Sequence, residues 1–258
     1  MFINIITIIS VVIGKIVLAQ GEPVPTVSAK NTSSGENDNQ FSTCLDILKR
    51  NPSVRNGWFR IKPKSEYENS EYALGFEVWC DFYSNETCIY PQLPDDSSLS
   101  KPIDVSTVPG EVWIANLGKE ISYPFDNSQI TILQKTSRTC HQNITVNCKN
   151  LVAFYDETLN TFDKSIKTLA WNGIQLTPLG PLDLKLRSDK DDCRYRDNPN
   201  EWKETIIEYT TDRCDRLPFT DVAIRDVWRG HGRGHGQWFY VKVGPVCFSW
   251  SRDISMYE

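Results

Sequence analysis

The clearest indication of the fold comes from twelve consecutive residues: Gln142-Asn143-Ile144-Thr145-Val146-Asn147-Cys148-Lys149-Asn150-Leu151-Val152-Ala153. They combine β-branched residues, a cysteine and the triplet Asn143-Ile144-Thr145, which is an acceptor pattern for N-linked glycan in secreted proteins. The β-branched and aromatic residues predict strands over residues 143–146 and 151–155. The stretch therefore indicates β-structure in a secreted, cysteine-containing domain.

The composition of the chain bounds its class. With 258 residues, 40% of them hydrophobic, the chain can build one large domain or two small ones. A formal charge of -5 creates no positive field that would concentrate nucleic acid, so we expect no nucleic-acid partner. The 14 glycines never recur at every third position, which excludes a collagen triple helix within these residues.

The two ends of the chain are expected to lie outside the folded domain. Residues 1–19 are rich in Ile and Val and end in Val17-Leu18-Ala19, which predicts a signal peptide cleaved before Gln20. The alternative is a membrane anchor, but Lys15 cuts the apolar run below the roughly 20 residues that a spanning helix needs. We therefore expect secretion without membrane attachment. Residues 20–40 are predicted to be a flexible leader, residues 41–248 the domain and residues 249–258 a tail.

An even number of cysteines follows the predicted signal peptide. They are Cys44, Cys80, Cys88, Cys140, Cys148, Cys193, Cys214 and Cys247. In a secreted chain such a set predicts disulfides, although eight cysteines allow 105 pairings. Three sequons, at Asn31, Asn85 and Asn143, are compatible with the same secretory route.

Short strands dominate the remaining pattern. They are predicted over residues 57–61, 76–82, 205–209, 222–224 and 238–243. A short helix is predicted over residues 44–49, because proline at Pro52 disfavours helical geometry in the residue before it. Residues 130–135 and 162–169 stay open between helix and strand. Many strands and few helices, without a βαβ rhythm, indicate an α+β or mostly β domain.

Three groups of residues could bind a metal ion, but none matches a complete metal-binding motif. His231 and His235 are four residues apart, but glycines around them oppose the helix that a zinc site of this spacing uses. The run Asp189-Lys190-Asp191-Asp192 lacks the later glycine and glutamate of an EF-hand loop. The acidic cluster Glu66, Glu68 and Glu71 could hold calcium weakly, but we interpret it as a solvated loop.

Neither a catalytic centre nor a ligand platform is indicated by a motif. The chain has no G-x-S-x-G, no zincin helix and no phosphate loop, so we expect no enzyme. The 8 tryptophans and 10 tyrosines could form a carbohydrate platform, but such residues more often fill cores and sheets.

The opening stretch resembles a block of the fibrillar collagen C-terminal propeptide, a non-collagenous domain, with the pattern Q-N-I-T-x-x-C-K-N-x-V-A. Further matches follow in the order of that family: Trp202, Thr205-Ile206-Ile207-Glu208-Tyr209, Arg216-Leu217-Pro218, Asp221-Val222-Ala223, Asp226-Val227 and Gly244-Pro245-Val246-Cys247-Phe248. Upstream matches are Cys44, Gly57, Pro63, Cys80-Asp81 and Cys88-Ile89-Tyr90-Pro91. The resemblance covers residues 41–248.

This resemblance implies a fold and a role. The fold would be fibrinogen-like α+β, disulfide-bonded, with twisted antiparallel sheets and short helices. In the family, three such domains associate at the C-termini of procollagen chains and align the triple helix. The implied partners are homologous C-terminal propeptide domains of collagen chains, or further copies of this chain in a trimer, in the extracellular matrix.

Three features depart from the family pattern. No Gly-X-Y stalk is present, which implies a free-standing relative or an incomplete gene product. The interchain cysteine, seven residues past Cys44, is Asn51 here. The calcium loop aligns with Lys62-Pro63-Lys64 and ends at Leu74, and since lysines repel a cation we expect neither the family's calcium site nor another cofactor.

The resemblance also implies residue roles. Cys44 would pair with Cys80, Cys88 with Cys247 and Cys148 with Cys193, and the extra Cys140 and Cys214 would then bridge each other. Chain selection would fall on residues 160–172, where Asp163, Lys164 and Lys167 could enforce charge complementarity and Trp171 could anchor a partner. The alternative is that Phe162, Ile166, Leu169 and Trp171 only fill the core.

Two functions from different classes follow. The first is a secreted, non-enzymatic matrix protein whose propeptide-like domain acts in matrix structure or chain association. The alternative is a soluble fibrinogen-related recognition module that binds glycans or other ligands through exposed loops.

We predict that Asn143 carries glycan, because its sequon lies in the best-matching part of the chain. Glycosidase treatment of secreted protein should lower the mass of the Asn143 peptide. An unchanged mass would contradict the prediction.

Overall fold

The computed structural model describes residues 41–64, 74–92, 101–106, 110–177, 184–194, 200–226 and 236–251. The predicted signal peptide, the leader and most of the predicted tail lie outside these residues. Within them, no helix combines the length and the apolar character needed to cross a bilayer.

The described residues form short helices and mainly antiparallel strands. The helices are α1 (Cys44–Arg50) and α2 (Asn127–Lys135), with 3₁₀ turns at Ala115–Leu117 and Cys214–Arg216. The strands are β1 (Gly57–Ile61), β2 (Phe76–Asp81), β3 (Glu86–Ile89), β4 (Ile103–Asp104), β5 (Val112–Trp113), β6 (Thr139–Lys149), β7 (Lys167–Ala170), β8 (Gln175–Leu176), β9 (Leu184–Asp191), β10 (Lys203–Thr211), β11 (Phe219–Ile224) and β12 (Trp238–Ser249).

The strands pair into two antiparallel sheets. The larger has the order β1-β2-β3-β12-β6-β10-β9, with β4 also pairing with β12, and the smaller has the order β5-β11-β7-β8. In β6 the side chains alternate: Gln142 and Ile144 are buried on the inner face, whereas His141 is half-buried and Asn143 exposed on the outer face. The predicted disulfide-bonded antiparallel architecture with few helices agrees with this arrangement.

Capping boxes fix the starts of both helices. In α1 the backbone N–H of Asp46 donates to the Thr43 hydroxyl at 3.2 Å, and the Asp46 carboxylate accepts from the Thr43 N–H at 2.9 Å. In α2 Asp126 and Gln129 exchange the same two bonds. The spacing of Asp126 and Gln129 is the signal that assigns residues 130–135, which the apolar pattern left open, to a helix.

The strand predicted over residues 151–155 is wrong. Leu151, Val152 and Ala153 are fully buried, but Asn150, at φ 56°, turns the chain out of β6 before them. The segment 162–169, which the sequence left open, divides in the structure: residues 162–166 form a loop and residues 167–169 belong to β7.

A buried glutamine joins the two sheets. The amide nitrogen of Gln142 donates to the Tyr123 hydroxyl at 2.6 Å and to the Gly244 carbonyl at 3.0 Å. Its amide oxygen accepts the backbone N–H of Phe219, on the smaller sheet, at 2.9 Å. The Phe219 ring packs edge-on against Tyr209 on the neighbouring strand β10, with ring centroids 4.5 Å apart.

Replacing this glutamine tests the connection between the sheets. We expect Gln142→Leu to lower the free energy of unfolding by about 2–4 kcal/mol, because it leaves the buried Tyr123 hydroxyl and the buried Phe219 N–H without their hydrogen-bond partner. Chemical denaturation measures the change. The control Gln175→Leu alters an exposed glutamine and should stay within about 0.5 kcal/mol. Equal stabilities of the two variants would contradict the proposed connection.

Candidate chain-association site

The chain leaves β6 through a buried connection that positions the loop beyond it. The backbone N–H of Val152 donates to the buried carboxylate of Asp226 at 2.8 Å. Ala153 accepts a backbone hydrogen bond from Ile166 at 2.9 Å and so holds both ends of the intervening segment together. These bonds satisfy the buried backbone without a strand partner, which is why residues 151–153 are buried and yet are not in a strand.

Asp156 organises the loop that follows. Its side chain is fully buried and accepts the backbone N–H groups of Thr158 and Leu159, both at 3.1 Å. Its backbone forms a bridge with Thr161, and Asn160 adopts the left-handed conformation at φ 52°. The loop backbone is thus fixed by its own hydrogen bonds.

Aromatic rings support the base of this loop. Phe162 packs edge-on against Phe154 with centroids 5.2 Å apart and lies 4.9 Å from the ring of Tyr155. The tip carries Leu159, whose side chain is 59% exposed. We call residues 157–164 the association loop, because it presents an apolar tip on a fixed backbone.

The predicted chain-selection residues do not act alike. Asp163 is exposed and Lys164 half-buried, so both charges are available on the association loop. Lys167 instead forms an ion pair with Glu111 at 2.5 Å, and Arg225 lies 3.7 Å from the same carboxylate. Trp171 donates its indole N–H to the Asp215 carbonyl at 3.1 Å and packs against the core. Lys167 and Trp171 therefore already have partners within the domain, and their role in chain selection stays a prediction.

Sequence reasoning missed Leu159. It lies one residue before the predicted segment 160–172, among polar residues that are typical of a plain turn. An apolar residue at the tip of a polar loop indicates a binding surface only when its exposure is known.

The sequence matches the family described as the fibrillar collagen C-terminal domain over residues 25–248. The chain belongs to this family. It is 31% identical over 227 residues to a collagen alpha-2(I) chain of Oryctolagus cuniculus, covering 84% of this chain and 41% of that relative. It is 29% identical to the collagen alpha-2(I) chain of Rattus norvegicus, covering 84% and 16%, and to the collagen alpha-1(II) chain of Xenopus tropicalis, covering 86% and 15%. The chain thus spans less than half the length of these relatives.

Three disulfides join the same pairs that the family resemblance implies. They are Cys44–Cys80, Cys88–Cys247 and Cys148–Cys193. Asn51, at the position of the family's interchain cysteine, is exposed and caps the C-terminus of α1. The described part of this family member is therefore cross-linked within one chain.

The structure departs from the fourth predicted bridge. Cys140 and Cys214 are both free and buried. The Cys140 sulfur lies 3.6 Å from the Thr211 carbonyl oxygen, and a hydrogen bond with the Cys214 thiol, together with burial, raises the pKa of Cys140. The two thiols are therefore neighbours that are not bonded to each other, and the Cys140 thiol stays protonated.

The described part of the family's calcium-loop position is basic. The backbone of Lys62 donates to the Phe41 carbonyl at 2.7 Å, and the Pro63 carbonyl accepts from Gln129 at 3.2 Å. Leu74, at the far end, is 73% exposed. The cluster of Glu66, Glu68 and Glu71 lies outside the described residues, so the expectation of no calcium stays a prediction.

The remaining residues that the sequence suggested as glycan acceptors or metal ligands lie elsewhere in the chain. Asn85 lies in the β2–β3 turn at φ 60°, while Asn31, His231 and His235 lie outside the described residues. Asp191, half-buried, accepts a hydrogen bond from Thr205 at 2.9 Å, and burial raises its pKa.

Glu86, His141 and Cys247 meet on the outer face of the large sheet. Cys247 is held in a disulfide and offers no thiolate to a metal. A hydrogen bond of 3.1 Å between Glu86 and His141 raises the pKa of the histidine and lowers that of the glutamate. The pair is a structural link between β3 and β6.

Thiol labelling tests the state of Cys140 and Cys214. In denaturant without reductant, maleimide should label these two residues and none of the other six cysteines. Under native conditions the reaction should be roughly 100-fold slower or more, because buried thiols react only after the structure opens locally. A peptide containing a Cys140–Cys214 bond would contradict this prediction and restore the fourth bridge.

Proposed function

We propose that this chain is a secreted, non-enzymatic protein of the extracellular matrix whose domain associates with fibrillar-collagen-type C-terminal domains, its own copies included. The observation that carries the proposal is the family match over residues 25–248, since the relatives are collagen chains. A fibrinogen-like fold and a trimeric state belong to the same proposal.

The association loop is the surface that we assign to this role. Its backbone is held by the buried Asp156, so little conformational entropy is lost when a partner binds. Leu159 supplies apolar contact at the tip, and Asp163 and Lys164 supply opposite charges beside it. Apolar contact contributes affinity, whereas the charges select the partner.

Association should depend on the loop tip. We expect light scattering of the purified chain at micromolar concentration to show an oligomer. Leu159→Asp should weaken it roughly 30-fold or more, the effect of losing an interface anchor. Asp163→Lys should change the choice of partner chain in a collagen-chain pull-down with a smaller loss of affinity. Circular dichroism of both variants should match the parent.

Two comparisons keep this test specific. Leu117→Asp changes another exposed leucine, which is 37% exposed outside the association loop, and should leave the oligomer intact. Lys167→Glu should instead lower stability by about 1 kcal/mol, because it places a second carboxylate beside Glu111. A monomeric parent chain, or equal association of the Leu159→Asp and parent chains, would contradict the proposal and favour the soluble recognition module.

A further inference from the structure

An aromatic cluster lies open on the outer face of the large sheet. It consists of Trp58, Trp79 and Tyr90, which we call the outer aromatic cluster. The Trp58 ring centroid lies 5.7 Å from that of Trp79 and 5.1 Å from that of Tyr90. Trp58 is 50% exposed and Tyr90 46% exposed, so large ring faces point away from the core. Exposed aromatic groups in one patch indicate a binding surface.

A polar groove continues from this cluster. It has a volume of about 500 Å³, and Glu77, Tyr90 and Gln92 are among its lining residues. Among the described residues, no side-chain hydrogen bond or ion pair engages the Glu77 carboxylate or the Gln92 amide. Aromatic faces beside unengaged hydrogen-bonding groups suit a ligand with apolar C–H faces and hydroxyl edges, which is the chemistry of a sugar.

The strand register brings the Asn143 acceptor close to the cluster. Val246 of β12 pairs with Ile89 on one side and with Gln142 on the other. Tyr90 and Asn143 are the next residues in the same direction, and both are exposed. One strand separates them, so they lie about 10 Å apart across the sheet. This span is comparable to the two sugars that begin an N-linked glycan.

The surface between Asn143 and the outer aromatic cluster carries no long side chain of β12. It is formed by Gly244 and Pro245, where the pairing of β12 with β6 shifts in register between Val243 and Val246. A Cβ at Gly244 would lie 3.3 Å from the Asn143 carbonyl oxygen, so glycine permits this close approach. No long side chain of β12 therefore separates Asn143 from Tyr90.

We propose that the N-linked glycan of Asn143 folds back across Pro245 and packs its first sugars on Trp58 and Tyr90. The outer sugars then reach the groove, where Glu77 and Gln92 accept and donate hydrogen bonds. The glycan covers an apolar patch and stabilises the edge of the sheet formed by β1, β2 and β3. The inference rests on glycosylation of Asn143 and is independent of the association loop.

The experiment measures whether glycan and cluster stabilise the protein together. The chain is secreted from eukaryotic cells with Asn31→Gln and Asn85→Gly, so that Asn143 is the remaining sequon acceptor, and glycine tolerates the positive φ of residue 85. An endoglycosidase then trims the glycan to a single N-acetylglucosamine. Melting temperatures of the intact and trimmed forms are compared in the parent, Trp58→Ala, Tyr90→Ala and Trp202→Ala chains. Trp202 is the matched control, since it is 41% exposed and contacts Tyr240 instead.

Trimming should lower the melting temperature of the parent and of Trp202→Ala by about 2–4 °C. In Trp58→Ala and Tyr90→Ala the effect of trimming should fall below about 1 °C. Equal effects in all chains, loss of the effect in Trp202→Ala, or an unoccupied Asn143 would overturn the proposal. Light scattering tests whether a second copy of the chain covers the cluster instead of the glycan. If Trp58→Ala dissociates an oligomer whether or not the glycan is trimmed, a second copy covers the cluster and the proposal fails.

Discussion

The buried amide of Gln142 is the contact on which the arrangement of this domain depends. It donates to Tyr123 and Gly244 and accepts from Phe219, so one side chain of β6 joins the segment around Tyr123, strand β12 and the smaller sheet. A buried amide left unpaired would cost free energy comparable to several hydrogen bonds, which makes this arrangement specific. Phe219 pairs with Ala170, at the end of β7, so the constraint extends to the strand that follows the association loop.

The two faces of β6 have different roles because side chains alternate along a strand. The inner face supplies Gln142 and Ile144 to the core, whereas the outer face carries Asn143, the predicted glycan acceptor, and His141 beside Glu86. A slip of one residue in register would bury Asn143 and expose Gln142. The disulfide of Cys148 with Cys193 and the long pairing with β10 and β12 oppose such a slip.

The association loop combines a fixed backbone with an exposed side chain. Asp156 is fully buried and holds the loop backbone, while Leu159, whose backbone N–H it binds, is 59% exposed. A fixed backbone with an exposed side chain favours recognition, because the conformational entropy of the loop is lost during folding and not on binding. Lys167, which is close in sequence, forms an ion pair with Glu111 within the domain, whereas Asp163 is exposed on the loop.

Local sequence patterns are enough to predict the strand around Asn143 and the helix that begins at Cys44, and the family resemblance supplies the three disulfide pairs. The strand and the helix follow from local properties: β-branched residues in the first and a stop at Pro52 in the second. The folded structure is needed to show that residues 151–153 are buried without a strand, since their hydrogen bonds go to Asp226 and Ile166. It also decided that Cys140 and Cys214 stay unbonded, that Leu159 is exposed and that Tyr90 lies one strand from Asn143. The exposure of Leu159 follows from the conformation of its own loop. The other outcomes depend on contacts between residues far apart in the chain, and a local pattern carries no information about which distant groups will meet.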